Sequence, residues 1–475
     1  MIVTENAVDI KDLEQKIFGY CCAVGREMLG QALEGYDAEL GARRDREKYR
    51  HKGKRKTVLK TVLGEVEYRR AVYETEDASG RAGYVYLLDE AMGISGGGKF
   101  SELLSQVIAQ SCCENSYRGA AAAVSEMTGQ ALSHTAAWTV VQGLGERVDE
   151  MEQTATAQAQ RGEGRGTLER KLLFEEQDGL WLKLQGASRK KHGPSHEMKL
   201  AIAYDGARQT GKKRYELTNK VSCANFESIG EFVKRKEGVI AQTYNTDEIQ
   251  VRLLNGDGAS WIRQSVTDET VHFQLDPYHR NKAIRMWVRH PKKQKTIMRL
   301  LYAKDIDGLL TYIEALSNSA DDSEEGRAER ENLLSLLAYF TNNKDGLIPC
   351  HRRGLDLPPP PEGRVYRRMG AMESNIFTIL GNRMKGRRAC WSIRGGNNLA
   401  RLLCLKATKK LAGTLQSWTR LVLPEKYSEE VFFGHSSGKV AFSAGKGYNG
   451  FHSSSIPPQY HWMRDLFAIR PLSDL

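Results

Sequence analysis

Leu253-Leu-Asn-Gly-Asp-Gly-Ala-Ser-Trp-Ile262 and Val271-His-Phe-Gln-Leu-Asp-Pro-Tyr-His279 are the two segments from which the rest of the chain is best understood. In each, an apolar β-prone run (Ile249 to Leu254, Val271 to Leu275) ends in an acid at a turn or helix start, Asp257 and Asp276. Parallel α/β sheets present carboxylates in this way, because side chains at the carboxyl ends of the strands project where a ligand or metal reaches them. Taken alone, an Asp-Gly turn and a helix-capping Asp are the better account of these residues. Two such strand ends in succession, the second followed by His279, point to a site.

The chain has 475 residues, enough for roughly two to four domains with cores of their own. Its 70 Lys and Arg outnumber 59 Asp and Glu, for a formal net charge of +11. A basic surface attracts polyanions, nucleic acid first and anionic membrane as its competitor. No apolar run is long enough to span a bilayer, and the amino terminus is polar, so a cytoplasmic protein with no membrane partner is expected. The cysteines, Cys21-Cys22, Cys112-Cys113, Cys223, Cys350, Cys390 and Cys404, lack zinc-knuckle spacing and read as reduced, packed thiols.

Residues 1–97 read as an amphipathic helix to about residue 35, a basic arm and a β-hairpin over Thr57–Tyr73 turning at Gly64. The arm carries Arg43, Arg44, Lys52, Lys54, Arg55 and Lys56, either a solvated face or phosphate contacts. Residues 98–150 read as helical. A helix over Tyr117–Thr128, a turn and a helix from Ser133 form either a helix-turn-helix offering Ser133, His134 and Thr135 to a groove, or a plain helical hairpin. Residues 151–167 read as a linker. Residues 168–279 form the first part of a catalytic core: strands over 171–178, 179–184, 199–204 and 214–218, a helix over 226–240, then the parallel strands above. Residues 280–372 are a basic helical insertion opened by one helix over 280–299, where Arg280, Lys282, Arg285, Arg289, Lys292 and Lys293 would hold a phosphodiester backbone. The core ends in 373–425, with a helix from Glu373 followed by Arg383, Lys385, Arg387 and Arg388. A tail of 426–475 follows.

Antiparallel strands, a helix, parallel strands and a late helix are the order of a ribonuclease H-like domain. The expected fold class is therefore multi-domain α/β, such a core with a helical insertion, preceded by an α+β and helical DNA-binding region. That core gathers acids from its first strand, its fourth strand and a late helix, here Asp178, Asp257 and Glu373. Carboxylates suit Mg²⁺, a hard ion, and two such ions can activate the attacking oxygen and stabilise the leaving one at phosphorus. Asp178-Gly179, Gly256-Asp-Gly-Ala-Ser-Trp-Ile262, Asp276-Pro-Tyr-His279, Glu373-Ser-Asn, Arg383-x-Lys385 and Trp391-Ser392 together resemble insertion-sequence transposases of the ISLre type, in the Mutator-like group of DDE enzymes. Thr61-Val-Leu-Gly-Glu-Val66 and Leu87-Leu-Asp-Glu90 extend the resemblance toward the amino terminus.

The resemblance implies a DNA transposase that cleaves element ends and joins them to target DNA. It would use two Mg²⁺ ions, with Mn²⁺ able to substitute, held by Asp178, Asp257 and Glu373. Asp276 and His279 would form the group's D-x-x-H element. Double-stranded DNA, as element ends and target, is the implied partner, and a dimer or larger assembly would hold two ends. From the residues alone, Asp205, Glu175 and Glu176 compete for the place of Asp178. Glu373 is also a favourable acid at a helix start, and His279 is open as metal ligand, proton shuttle, DNA contact or backbone-bonded histidine. Trp181, Trp261 and Trp391 read as core, with base stacking open to Trp391. A nuclease without strand transfer, or a non-catalytic DNA-binding regulator, are the alternative functions.

Overall fold

The computed structural model describes residues 9–76, 80–92, 100–386 and 388–416 of a mixed α/β chain. It divides into two compact units, one reaching to Val140 and one running from Val141 to Ala412. The expectations for 417–475, and for Arg387, fall outside the described residues. Among the described residues, no helix is long and apolar enough to cross a membrane.

In the first unit, helix α1 (Ile10–Arg43) is capped by Asp9 and runs past the expected end near residue 35. Its Leu29, Leu33, Tyr36 and Leu40 recur every three or four residues and pack with Leu59, Val66, Tyr68 and Leu88. Strands β1 (Arg50–Thr61) and β2 (Gly64–Glu76) form the hairpin, and β3 (Ala82–Val85) adds a third strand before α2 (Leu87–Ala91). Most of the basic stretch is therefore strand β1 rather than a free arm. Lys52, Lys56 and Lys60 pair with Glu74, Glu67 and Glu65 across the hairpin, at 2.8, 2.6 and 3.3 Å. Helices α3 (Glu102–Glu114) and α4 (Tyr117–Thr128) are capped by Ser101 and Ser116, and buried Ala120 and Ala121 lie on α4.

After α4, helix α5 (His134–Gln160) is capped by Ser133, whose Oγ accepts from Ala136 N. It continues to Gln160 through most of the expected linker. Residues 152–160 contain no Gly or Pro, and their Ala and Gln favour helix, so polarity alone does not interrupt it.

The second unit is built on a five-stranded sheet. Its elements begin with β4 (Leu168–Glu169), β5 (Leu172–Lys183), α6 (Gly186–His192), β6 (Ser195–Tyr204), β7 (Ala207–Gly211), β8 (Arg214–Leu217) and β9 (Val221–Asn225). Helix α7 (Ile229–Ala241), β10 (Tyr244–Asn245), β11 (Val251–Gly256), α8 (Ser260–Arg263) and β12 (Val271–Leu275) follow. The sheet order is β12-β11-β5-β6-β9. Strands β12, β11 and β5 are mutually parallel, β6 is antiparallel to β5, and β9 is antiparallel to β6. The runs 171–178 and 179–184, expected as two strands, are one. Gly179 continues β5, and its bare Cα makes room for Glu197 of β6, whose Oε1 would lie 2.0 Å from an added Cβ. The expected strand at 214–218 pairs only with β7 in a separate ribbon, and β9 takes the third place in the antiparallel part of the sheet.

The expected basic helix over 280–299 is two helices, α9 (Pro277–Trp287) and α10 (Pro291–Ala303). Pro291 lacks an N–H to donate into a continuing helix but suits a first turn. Helices α11 (Ile306–Asn318) and α12 (Glu324–Asn342) complete the insertion. Their Leu309, Ile313, Leu336 and Phe340 share one core with Leu254, Phe273, Leu275 and Ile284 of the sheet and α9. Then come α13 (Met372–Ile376), a π-helical turn (Phe377–Gly381), α14 (Asn382–Met384) and α15 (Ile393–Ala407). Helix α13 lies against β5, and α15 against β9.

Candidate metal centre

Strand register brings the acids together. Glu176 pairs with Asn255, and Asn255 with Gln274, across β5, β11 and β12. Side chains alternate faces along β5, so Asp178 stands on the face of Glu176, while Asp257 and Asp276 follow directly after the ends of β11 and β12. Beneath this acid row the paired residues form a buried polar ladder. Tyr204 Oη donates to Glu176 Oε1 at 2.7 Å, and Asn255 Nδ2 donates to Glu176 Oε2 at 3.1 Å and Asp276 Oδ2 at 2.7 Å. Gln274 Nε2 donates to Asn255 Oδ1, and Cys350 N to Gln274 Oε1, both at 2.8 Å.

Two further residues arrive from helices. His279 lies in the first turn of α9, and Glu373 in the first turn of α13. One ligand atom each from Asp178, His279 and Glu373 lie within 4.8 Å of one another, and His279 Nε2 is 4.0 Å from Glu373 Oε2. Together with Asp257, Asp276, Tyr278 and Gly370 they line a cavity of about 200 Å³ whose lining, among the described residues, holds no Lys or Arg. Burial pushes the Asp178 carboxyl up to about 6, opposed by the Gly179 N–H and His279 and reinforced by Asp257 and Glu373. An uncompensated group of carboxylates with one imidazole is a donor set that fits a divalent cation of the Mg²⁺ or Mn²⁺ kind, the imidazole favouring Mn²⁺.

The sequence candidates divide sharply. Asp178, Asp257, His279 and Glu373 share the cavity, though Asp257 lies outside the closest three. Asp257 Oδ1 accepts from Ala259 N at 2.9 Å. Asp276 lines the cavity too, but its carboxylate is engaged by the protein: Oδ1 accepts from Tyr278 N and His279 N, and Oδ2 from Asn255. It therefore caps α9 and fixes the backbone that carries His279. The rival acids are engaged elsewhere. Glu175 pairs with Lys236 and Arg252, Asp205 with Arg170 and Arg364, and Glu176 sits in the ladder.

Among the basic candidates, Lys54, Arg55, Lys282, Arg285, Arg289, Lys292, Lys385 and Arg388 are exposed, as are Ser133, His134 and Thr135 at the start of α5. Arg280 is not a surface residue. It is 7% exposed and donates to Leu347 O at 2.9 Å, holding α9 to the segment after α12. Lys293 is paired with Glu329 at 2.7 Å, and Arg44 folds back on Tyr49 O at 3.1 Å, while Arg43 ends α1. Arg383 lies over the ring of Trp391, which is buried and donates from Nε1 to Met384 O, so Trp391 offers no face to a base. Trp261 is core, but Trp181 is 59% exposed. The ladder was missed in the sequence. Its signal is a polar residue, Glu176, Asn255 or Gln274, two positions before each of Asp178, Asp257 and Asp276.

Comparison with known proteins places the chain. Residues 3–419 match the uncharacterised protein family UPF0236. The chain belongs to that family. A UPF0236 protein in the vanSb 3' region of Streptococcus gallolyticus is 24% identical over 97% of this chain and 98% of its own length. A relative from Caldanaerobacter subterraneus subsp. tengcongensis is 25% identical over 73% of this chain and 68% of its own. Another from the same strain, 25% identical over 73% of this chain and 68% of its own, bears a name made of eleven locus numbers.

Proposed function

We propose that this chain is a DNA transposase of the ISLre type, with a ribonuclease H-like core that cleaves the ends of a mobile element and joins them to target DNA. The observation that carries the reading is the meeting of Asp178, His279 and Glu373, from a strand and two helix starts, in a cavity that Asp257 also lines. The strand order supports it: three antiparallel strands followed by two parallel ones, with Asp178 on the first and Asp257 directly after the fourth. A further support is the relative whose name spans eleven loci of one strain, as a sequence dispersed in copies would.

Asp178, Asp257 and Glu373 would hold two Mg²⁺ ions, or Mn²⁺ in their place, with His279 as an added donor. Such ions supply an activated attacking oxygen and charge neutralisation on the leaving oxygen. The chain's own part is placement. Strand β5 carries Asp178, β11 beside it leads directly into Asp257, and the Asp276 cap fixes the first turn of the helix that holds His279. Exposed Lys282 and Arg285 on α9, Arg289 between the helices and Lys292 on α10 carry positive charge for a phosphate backbone. The first unit, with the exposed start of α5, would recognise element ends, in an assembly of at least two copies on nucleoid DNA in the cytoplasm.

The test is Mg²⁺-dependent cleavage of labelled DNA carrying the gene's flanks, with wild type and Asp257→Asn. Nicking at the element ends by wild type alone, with equal DNA binding by both, supports the transposase. Binding without cleavage by either favours the regulator, and cleavage without joining favours a nuclease.

A further inference from the structure

Glu373 reaches the cavity on a chain that regular structure does not guide. Residues 353–371 contain no helix or strand, and α13 begins only at Met372. Val365 bridges to Ala207, and Lys220 Nζ donates to Asn375 Oδ1 within α13 at 2.9 Å, but the start of the helix itself meets a carboxylate. Glu176, fully buried on β5, accepts from Gly370 N at 3.0 Å and Met372 N at 3.2 Å through Oε2, and from Ala371 N at 3.1 Å through Oε1. These are successive N–H groups at the entrance of α13, where no preceding helical turn supplies carbonyl acceptors. Gly370 has φ +132, a conformation that other residues rarely adopt, and it helps turn consecutive N–H groups toward one carboxylate.

We infer that Glu176 is a positioning residue: its carboxylate docks the start of α13 onto β5 and so brings Glu373 within reach of Asp178 and His279. The inference rests on reading the cavity as a metal site. Every partner of Glu176 offers an N–H or O–H: three backbone amides, Tyr204 Oη and Asn255 Nδ2. A carboxylate is acceptor-only, with about four lone-pair sites, so the five donors share its two oxygens, two at Oε1 and three at Oε2. A Gln in its place keeps one oxygen and turns an NH₂ toward donors, which opens the contact with the helix start. Asn255 links the same carboxylate to Asp276, so α9 and α13, which carry His279 and Glu373, are anchored to one ladder.

The test measures Mn²⁺ affinity of the full chain by the electron paramagnetic resonance signal of free Mn²⁺, with thermal melting and circular dichroism as controls. The variants are Glu176→Gln, Glu176→Asp, Glu373→Gln and the double variant Glu176→Gln/Glu373→Gln. Glu176→Gln is expected to weaken binding by about 10- to 100-fold, the range for residues that orient ligands, with Glu176→Asp between it and wild type. The double variant is expected to bind no more weakly than Glu373→Gln, because a residue that acts through Glu373 has nothing left to position. Unchanged affinity in Glu176→Gln, or losses that multiply in the double variant, overturns the inference while leaving the metal site standing. If Glu176→Gln does not fold, Glu176→Asp with and without Glu373→Gln completes the same cycle. Unchanged affinity in Glu373→Gln overturns the metal-site reading, and this inference with it.

Discussion

Replacing Asp178 by Asn removes a charge that the metal-free fold carries at a cost, so the variant gains stability as it loses the site. Burial is the main cause. Against the pull of the Gly179 N–H and His279, and with Asp257 and Glu373 adding to it, burial takes this carboxyl from its usual 3.8 to about 6. The gap is worth roughly 3 kcal/mol when Asp178 is fully ionised. Partial exposure and solvent screening lower the expected gain to about 2 kcal/mol, or about 5 °C in melting temperature for a unit of this size. Asn keeps an oxygen for the Gly179 N–H, which Asp178 accepts at 2.7 Å, so little else changes.

The sign follows from linkage. A raised carboxyl binds its proton more tightly in the folded chain, so the penalty is absent below 3.8, grows between 3.8 and about 6, and is complete above. In EDTA at a pH well above that window, Asp178→Asn melts above wild type, and the difference closes as the pH falls through it. Added Mn²⁺ raises the wild type alone. A variant that melts at or below wild type in EDTA, or a difference that does not close in acid, refutes the reasoning.

Two other outcomes follow from burial and pairing. Lys282→Ala lowers the slope of log DNA affinity against log salt by about 0.9, as loss of one phosphate contact does, whereas Arg280→Ala leaves the slope and lowers the melting temperature; equal slopes in both variants would contradict the assignment of Arg280 to the interior. Lys236→Met strands Glu175 and Glu237, which Lys236 meets at 2.6 and 2.8 Å, with Arg252 as their remaining partner. Urea unfolding then shows a loss of about 3 kcal/mol with Mn²⁺ affinity unchanged, and an unmoved midpoint would remove this buried cluster from the stability of the fold.

What the sequence made legible depended on how far each signal was local. Strands β11 and β12 are short apolar runs ended by acids, and both pair in parallel. Strand β9 carries Val221-Ser-Cys-Ala-Asn225, which has no alternation to read; burial on both faces makes it a strand. Asp257 and Asp276 look alike in sequence, yet Pro277 turns the chain directly into α9, and the amides of Tyr278 and His279 engage Asp276. Arg280 was indistinguishable from Lys282 in a run of basic residues. Helical periodicity separates them, since Arg280, Ala283 and Ile284 share the inner face while Lys282 points out.

The ladder and the acid row above it are one construction. Carboxylates held close together repel, and flexible side chains on loops would turn apart and leave a poor cation site. Here the repulsion is met from below. Glu176, Asn255 and Gln274 satisfy one another at buried positions, and a fully bonded buried network stiffens the strands on which Asp178 stands and after which Asp257 and Asp276 follow. The same network reaches into both helices through Asp276 and the amides of residues 370–372. Asp178 thus comes from a strand, Asp257 from the end of another, and His279 and Glu373 from helices tied to the same ladder. A polar residue placed two positions before each acid is what lets strands from distant parts of the chain present their acids together.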